Sequence, residues 1–204
     1  MPTFDFLTHL PAVAPEVGLT ILALVVLLLD LRWKGEQRRA IGLVAGLGML
    51  ALAITPFIWA PTSPDTLYWG GMVRYDVLAQ VFKVTVLIAG GLSALIAIDS
   101  HEMGRKGEFY LIIIVSTLGG TLMGAAADLI MVFVALETLS IPLYILSSFS
   151  RQDKRSSESG VKYFLFGSFA SAIMLYGFSL LYGLTGATNL YAIAAFMGSE
   201  SFTA

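Results

Sequence analysis

LIMVFVALETLSIPLYILSSF, residues 129–149, decides the fold. Its twenty-one residues carry one charge, Glu137, and no Lys or Arg. A helix needs about 20 mostly apolar residues to cross the hydrocarbon of a bilayer. The apolar residues here fall all round the helix. Packing in water would confine them to one stripe, whereas lipid or a bundle of spans requires the full circumference.

Working outward, five more stretches qualify as spans: residues 11–31, 40–59, 76–98, 108–126 and 160–183. Short links join them and hold the charges and turn-formers, as in RWKGEQRR at 32–39 and PTSPDTLYWGG at 61–71. No stretch of strand period competes, which argues against a β-barrel. The expected fold is all-α: a polytopic transmembrane bundle of about six spans. Composition agrees. The 204 residues are 57% hydrophobic and 13% charged, against roughly 25% charged in soluble domains. A net charge of −2 gives no reason to expect a nucleic-acid partner.

The charges also predict an orientation. Arg32, Lys34, Arg38 and Arg39 follow the first span, Arg105 and Lys106 the third, and Arg151, Lys154 and Arg155 the fifth. Those nine lie on one side, and Arg74 alone lies on the other. Basic loops stay cytoplasmic, so the N-terminus is expected to face away from the cytoplasm. Trp33, Trp59 and Trp69 fall near span ends, where indoles favour the interface. MPTFDFLTHL has no basic n-region, so the first span is read as retained rather than as a cleaved signal. With no cysteine, disulfides and iron–sulfur ligation are excluded. His9 and His101 fall on opposite sides by this topology and cannot share a haem or metal. No cofactor or metal is expected in this chain.

After Gly183 the pattern changes. TGATNLYAIAAFMGSE, residues 185–200, puts Leu190, Ile193, Ala194 and Met197 at helical spacing over a length too short to span. It suits a helix lying along the membrane surface. With no polar tail following, the chain is expected to be part of a longer protein; the alternative is a six-span protein with a short amphipathic end. Gly42 with Gly46, and Gly120 with Gly124, are small-xxx-small pairs that allow helices close approach.

Three ionisable residues fall inside spans, where burying charge is costly and function is the default hypothesis. Glu137 is near mid-span, and Pro142 five residues on deprives the Thr138 carbonyl of its helical donor. Ser140, Tyr144, Ser147 and Ser148 follow on the same face and suit a hydrogen-bonded water file; the competing reading has the serines bonding back to their own helix. Lys83 shares a face with Asp76 and Gln80, as a relay group or as a snorkelling lysine. Lys162 sits about one turn inside the sixth span. From the residue counts to the basic end, Glu137 and Lys162 differ in depth by roughly 12 Å, so a direct ion pair is not expected. The partner of Glu137 is then Lys83, at similar depth, or a lysine outside this sequence. Desolvation favours a neutral carboxyl and a nearby ammonium favours a charged one, which together make a protonation switch. The residues alone reach a proton or cation path in a helical bundle.

ALETLSIPLYILSSFSRQDKRSSESGVKYFLFGSFASAIMLYGFSLLYGLTG, residues 135–186, resembles the subunit N family of bacterial respiratory complex I, the proton-pumping NADH-quinone oxidoreductase. The ordered features are Glu137, Pro142, the basic loop with Arg155, Lys162 and the aromatic run to Gly183. DVLAQVFKVTVLIAG, residues 76–90, resembles the family's third helix. These subunits are antiporter-like. The resemblance implies a membrane-arm subunit of a translocase, moving protons through Glu137 and Lys162, with Lys83, Ser140, Tyr144 and Ser148 as relay candidates. It implies other membrane-arm subunits and the lipid bilayer as partners. NADH and quinone would be met only through other subunits. It also divides the chain into a three-helix segment, 1–107, and an incomplete first antiporter-like repeat, 108–204, since the family has about fourteen helices and its further lysines lie on later ones. The alternatives are a subunit of a cation/proton antiporter and a structural membrane-arm protein.

Overall fold

The computed structural model describes residues 10–58, 67–100, 103–150 and 152–199. His9, Trp59, His101 and Arg151 lie outside the described residues. After a 3-10 turn, Leu10–Val13, comes α1, Ala14–Arg32. A second such turn, Gly35–Arg38, leads into α2, Arg39–Leu52, and the short α3, Thr55–Ile58. A two-stranded antiparallel hairpin follows, β1 Leu67–Tyr68 and β2 Val73–Arg74, with Leu67 opposite Arg74. Then come α4 Val77–Ala97, α5 Gly107–Gly124, α6 Leu129–Ser147, α7 Lys154–Thr185 and α8 Leu190–Met197. Among the described residues, six helical stretches are long and apolar enough to span a membrane, the second of them Arg39–Ile58.

Two boundaries differ from the sequence reading. The second span is not one helix. Pro56 has no N–H to give the Leu52 carbonyl, and the Thr55 hydroxyl bonds that carbonyl instead at 2.7 Å, so the chain turns at Ala53 and Ile54. The sixth span starts at Lys154 rather than near Gly160, because the Asp153 carboxylate caps the Arg155 amide at 2.9 Å. Polar residues of the loop thus become the first turns of the helix.

α1, α2, α4 and α5 form a four-helix unit. α1 packs on α2 and α5, and α4 packs on the same two, so α1 and α4 face each other across the diagonal. Leu19, Val26, Ile41, Met49, Leu87 and Ile114 fill the core. Glycine sets the spacing: a Cβ on Gly46 would lie 2.6 Å from Leu95, and one on Gly42 would meet the Tyr110 hydroxyl at 2.6 Å. α6 lies outside this unit against α5, and α7 packs on α6. Packing therefore crosses residue 107. The outer faces stay apolar, with Leu28 64%, Ile96 78% and Phe166 75% exposed. Such surface is costly in water and is at home in lipid.

At the end away from the basic loops, the hairpin, the α5–α6 turn and the α8 lead-in are stitched by backbone bonds. Arg74 N–H reaches Ala125 at 2.7 Å, Ala127 N–H reaches Met72 at 2.9 Å, and Leu190 N–H reaches Ala127 at 2.9 Å. Asn189 donates to the Gly71 carbonyl, 2.9 Å, and Thr188 to Asp128, 2.6 Å. Asn189 also caps α8, whose start at Leu190 matches the expected amphipathic end. Gly70 and Gly71, at φ of +68° and +88°, make the hairpin turn.

Candidate functional site

Glu137 is half-buried on α6. Its Oε1 accepts a hydrogen bond from the Ser171 hydroxyl of α7 at 2.5 Å. Pro142 lies inside α6, which continues through it to Ser147. α5 covers this stretch closely: a Cβ on Gly119 would stand 2.3 Å from the Leu139 amide nitrogen and 2.6 Å from the Thr138 carbonyl carbon. Ser116 of α5 donates to the Leu139 carbonyl at 3.1 Å. Helix α6 is thus held about one turn before Pro142 by the bare backbone of Gly119 and the hydroxyl of Ser116.

Two cavities run along the α5–α6 seam. One of about 540 Å³ lies beside Glu137, Thr138 and Pro142 with an otherwise apolar wall. The other, about 650 Å³, lies toward the basic loops, lined by Lys106, Glu108, Tyr144, Ser148 and Ser157 among others. They adjoin, sharing Ile112 and Ile145. The Lys106 ammonium sits 4.9 Å from the Phe149 ring centroid at that end.

The polar face of α6 is mostly self-satisfied. Ser147 donates to the Tyr144 carbonyl at 2.8 Å, and Ser148 to those of Tyr144 and Ile145 at 3.3 and 3.2 Å. Tyr144 is buried, with its ring edge-on to Tyr163 at 4.8 Å. Its hydroxyl fills the space over Gly167, where a Cβ would approach to 2.1 Å. Ser140 is half-buried on the same helix.

The lysines are not where Glu137 needs them. Lys162 binds Glu158 on its own helix at 2.5 Å, with both side chains about two-thirds exposed. Lys83 is fully buried and pairs with Glu16 of α1 at 2.9 Å, so the suggested Glu137–Lys83 pairing is corrected. Among the described residues no ion pair reaches Glu137, and its side-chain partner is a hydroxyl. Sequence reading passed over Ser171 and Glu16. Glu16 carried a usable signal, an acid inside an apolar span; Ser171 carried none, being one of several small polar residues in its helix.

Known proteins resemble this chain in sequence and in fold. Residues 126–204 fit the family model for the transmembrane part of NADH:quinone oxidoreductase and Mrp antiporter subunits. NADH-quinone oxidoreductase subunit N of Desulfovibrio desulfuricans is 42% identical over 196 residues, 95% of this chain and 38% of the relative. The resemblance is to the subunit N family, in sequence and in fold. NAD(P)H-quinone oxidoreductase subunit 2 of Synechococcus sp. WH7803 is 43% identical over 187 residues, 89% of this chain and 35% of that protein. A chain of respiratory complex I from Thermus thermophilus superposes with a TM-score of 0.72 at 26% identity, over 91% of this chain and 39% of that one. The archaeal membrane-bound sulfane sulfur reductase has a chain of the same fold, with a TM-score of 0.68 at 21% identity. This chain spans less than half the length of the curated relatives it matches.

Proposed function

We propose that this chain takes part in proton translocation as a membrane-arm subunit of an NADH-quinone oxidoreductase, with Glu137 as the proton-carrying group. The observation that carries the reading is a carboxylate in the middle of an apolar span whose side-chain partner is a neutral hydroxyl, Ser171. A carboxylate locked to a fixed cation resists protonation; one held by a hydroxyl can gain and lose a proton while keeping the contact, since a hydroxyl both donates and accepts. The polar-lined cavity toward the basic loops adjoins the apolar one beside Glu137, and in this reading protons approach the carboxyl from that side. Tyr144 and Ser148 line the first of these cavities, and Lys162 is the second proton group in this reading. Ser140 joins them as a relay candidate.

In this reading the basic loops are cytoplasmic and the N-terminus periplasmic, in a bacterial plasma membrane. The partners are lipid and other membrane-arm subunits, with NADH and quinone handled elsewhere in the complex. Residues 1–107 form the entry segment and 108–204 begin the first antiporter-like repeat. The chain itself needs no redox cofactor.

The test is Glu137→Gln in the full-length protein within its complex, followed by proton uptake into membrane vesicles and by quinone reductase activity. Loss of pumping at normal assembly supports the proposal, and wild-type pumping defeats it. A second reading, a cation/proton antiporter subunit without redox coupling, draws on the family model, which spans both classes. Copurified flavin and iron–sulfur absorbance distinguishes the two.

A further inference from the structure

Glu16 and Lys83 form an ionic centre apart from Glu137. The Lys83 ammonium contacts Glu16 Oε1 at 2.9 Å and Oε2 at 3.1 Å, and the Ala12 carbonyl at 2.6 Å. Lys83 is 1% exposed and Glu16 is 6% exposed. The pair spans the diagonal of the four-helix unit, joining α1 to α4.

Each charge depends on the other. The facing helix α2 has Arg39 as its one charged residue, and α5 has Glu108; both lie at the opposite, basic-loop end. The turn Leu10–Val13 and α3 have no charged residue. At the near end of α4, Asp76 is taken by Arg74 at 2.9 Å, and Asp128 by Thr188 and the Ile130 amide. Among the described residues, no backbone N–H and no second cation supports the Glu16 carboxylate. One turn before Lys83, the buried Gln80 amide oxygen has no hydrogen-bond partner. Gln80 also borders a cavity of about 330 Å³ between α3 and α4, whose wall is otherwise apolar apart from Thr85.

We infer that Glu16 and Lys83 are a second proton-exchange site, one that passes a proton while its net charge stays at zero. A proton arriving at Glu16 forms an O–H bond, and Lys83 releases one from Nζ. The ionic pair becomes a neutral carboxylic acid and amine. Reprotonating the amine and releasing the acid proton restores the start. Either form avoids an unpaired charge in a low-dielectric interior, the state that burial penalises most. A plain structural tie is the competing account, and it needs only a fixed cation.

Lys83→Arg separates them, because arginine keeps the positive charge and does not release its proton. The inference rests on the proton-translocation reading, so Glu137→Gln is measured beside it in the full-length protein within its complex. The expected result is normal assembly of Lys83→Arg with proton uptake lowered at least about tenfold, a modest share of what a positioned proton-transfer group contributes. Wild-type uptake by Lys83→Arg overturns the second site while leaving Glu137 intact; wild-type uptake by Glu137→Gln overturns the parent reading. If the arginine variant does not assemble, wild-type and Glu16→Gln complexes in lipid nanodiscs are compared by infrared difference spectroscopy during turnover. A protonated-carboxyl band that rises and decays in the wild type and is absent from Glu16→Gln supports exchange at Glu16. A wild-type Glu16 that stays ionised throughout turnover overturns it.

Discussion

Ser171 stands level with Glu137: its hydroxyl meets the Glu137 carboxylate from the next helix at 2.5 Å. The contact fixes a common height on α6 and α7. Lys162 lies nine residues back along α7, so about 13 Å of helix rise separates it from that height. The contact also makes Ser171 the nearest lever on the Glu137 proton.

Ser171→Ala should therefore weaken Glu137 without removing it. In the assembled complex the expected order of proton uptake is wild type, then Ser171→Ala, then Glu137→Gln. A Ser171→Ala complex as impaired as Glu137→Gln would mean that the hydroxyl is more than a positioning group.

Lys162→Ala should cost less proton uptake than Glu137→Ala. Lys162 is exposed and salt-bridged to Glu158 within its own helix, and such pairs contribute about 0.3–0.5 kcal/mol. Vesicle uptake measured on both variants at matched assembly checks the order, and the reverse order counts against Glu137 as the central group.

Gly119 should tolerate no side chain. A Cβ there would strike the α6 backbone at Leu139, which has no rotamer to yield. Gly119→Val is expected to cost about 1–3 kcal/mol or more by overpacking, read as a lower melting temperature in nanodiscs. Gly177 faces open space, so Gly177→Ala is the matched control and should melt as wild type does.

Tyr75 gives a pH test outside the spans. Burial, and then the neighbouring Tyr68, push its phenol above the usual value of 10.0. The folded form therefore keeps its proton where the unfolded chain has lost it. The stability this confers is whole below pH 10 and falls as the pH rises through the raised value. Alkaline unfolding should show the loss in wild type and less of it in Tyr75→Phe.

Orientation has its own check. A reporter fused after Gly183 should behave as periplasmic, and one placed in the loop at 151–155 as cytoplasmic. The opposite pattern would reverse the assignment drawn from the basic loops.

How much of this could be read from the chain depends on range. Span length and hydropathy are local, so the six apolar spans were legible, and so was the helix after Gly183 from the spacing of Leu190, Ile193 and Met197; its Asn189 cap was not singled out. The break at Pro56 was legible in principle, since proline's missing N–H is a sequence fact, but the apolar run masked it. The site was legible in part. Glu137 stood out because a charge in hydrocarbon is rare. Its partner did not, because a serine becomes meaningful only when another helix sets a carboxylate beside it. The same holds for Lys83: its depth could be counted, but its pairing with Glu16 required knowing that α1 and α4 face each other across the unit.

The stitched loop end bears on the order of assembly. Asn189 bonds Gly71 across 118 positions of sequence, and Ala127 joins the two through bonds to Met72 and Leu190. A chain made from its N-terminus presents the hairpin first, the α5–α6 turn next and Asn189 last. The hairpin therefore waits while four more helices, α4 to α7, enter the bilayer, and the final clasp forms only when residues 188–190 arrive. Synthesis stalled before that point would leave the early helices threaded but unlatched.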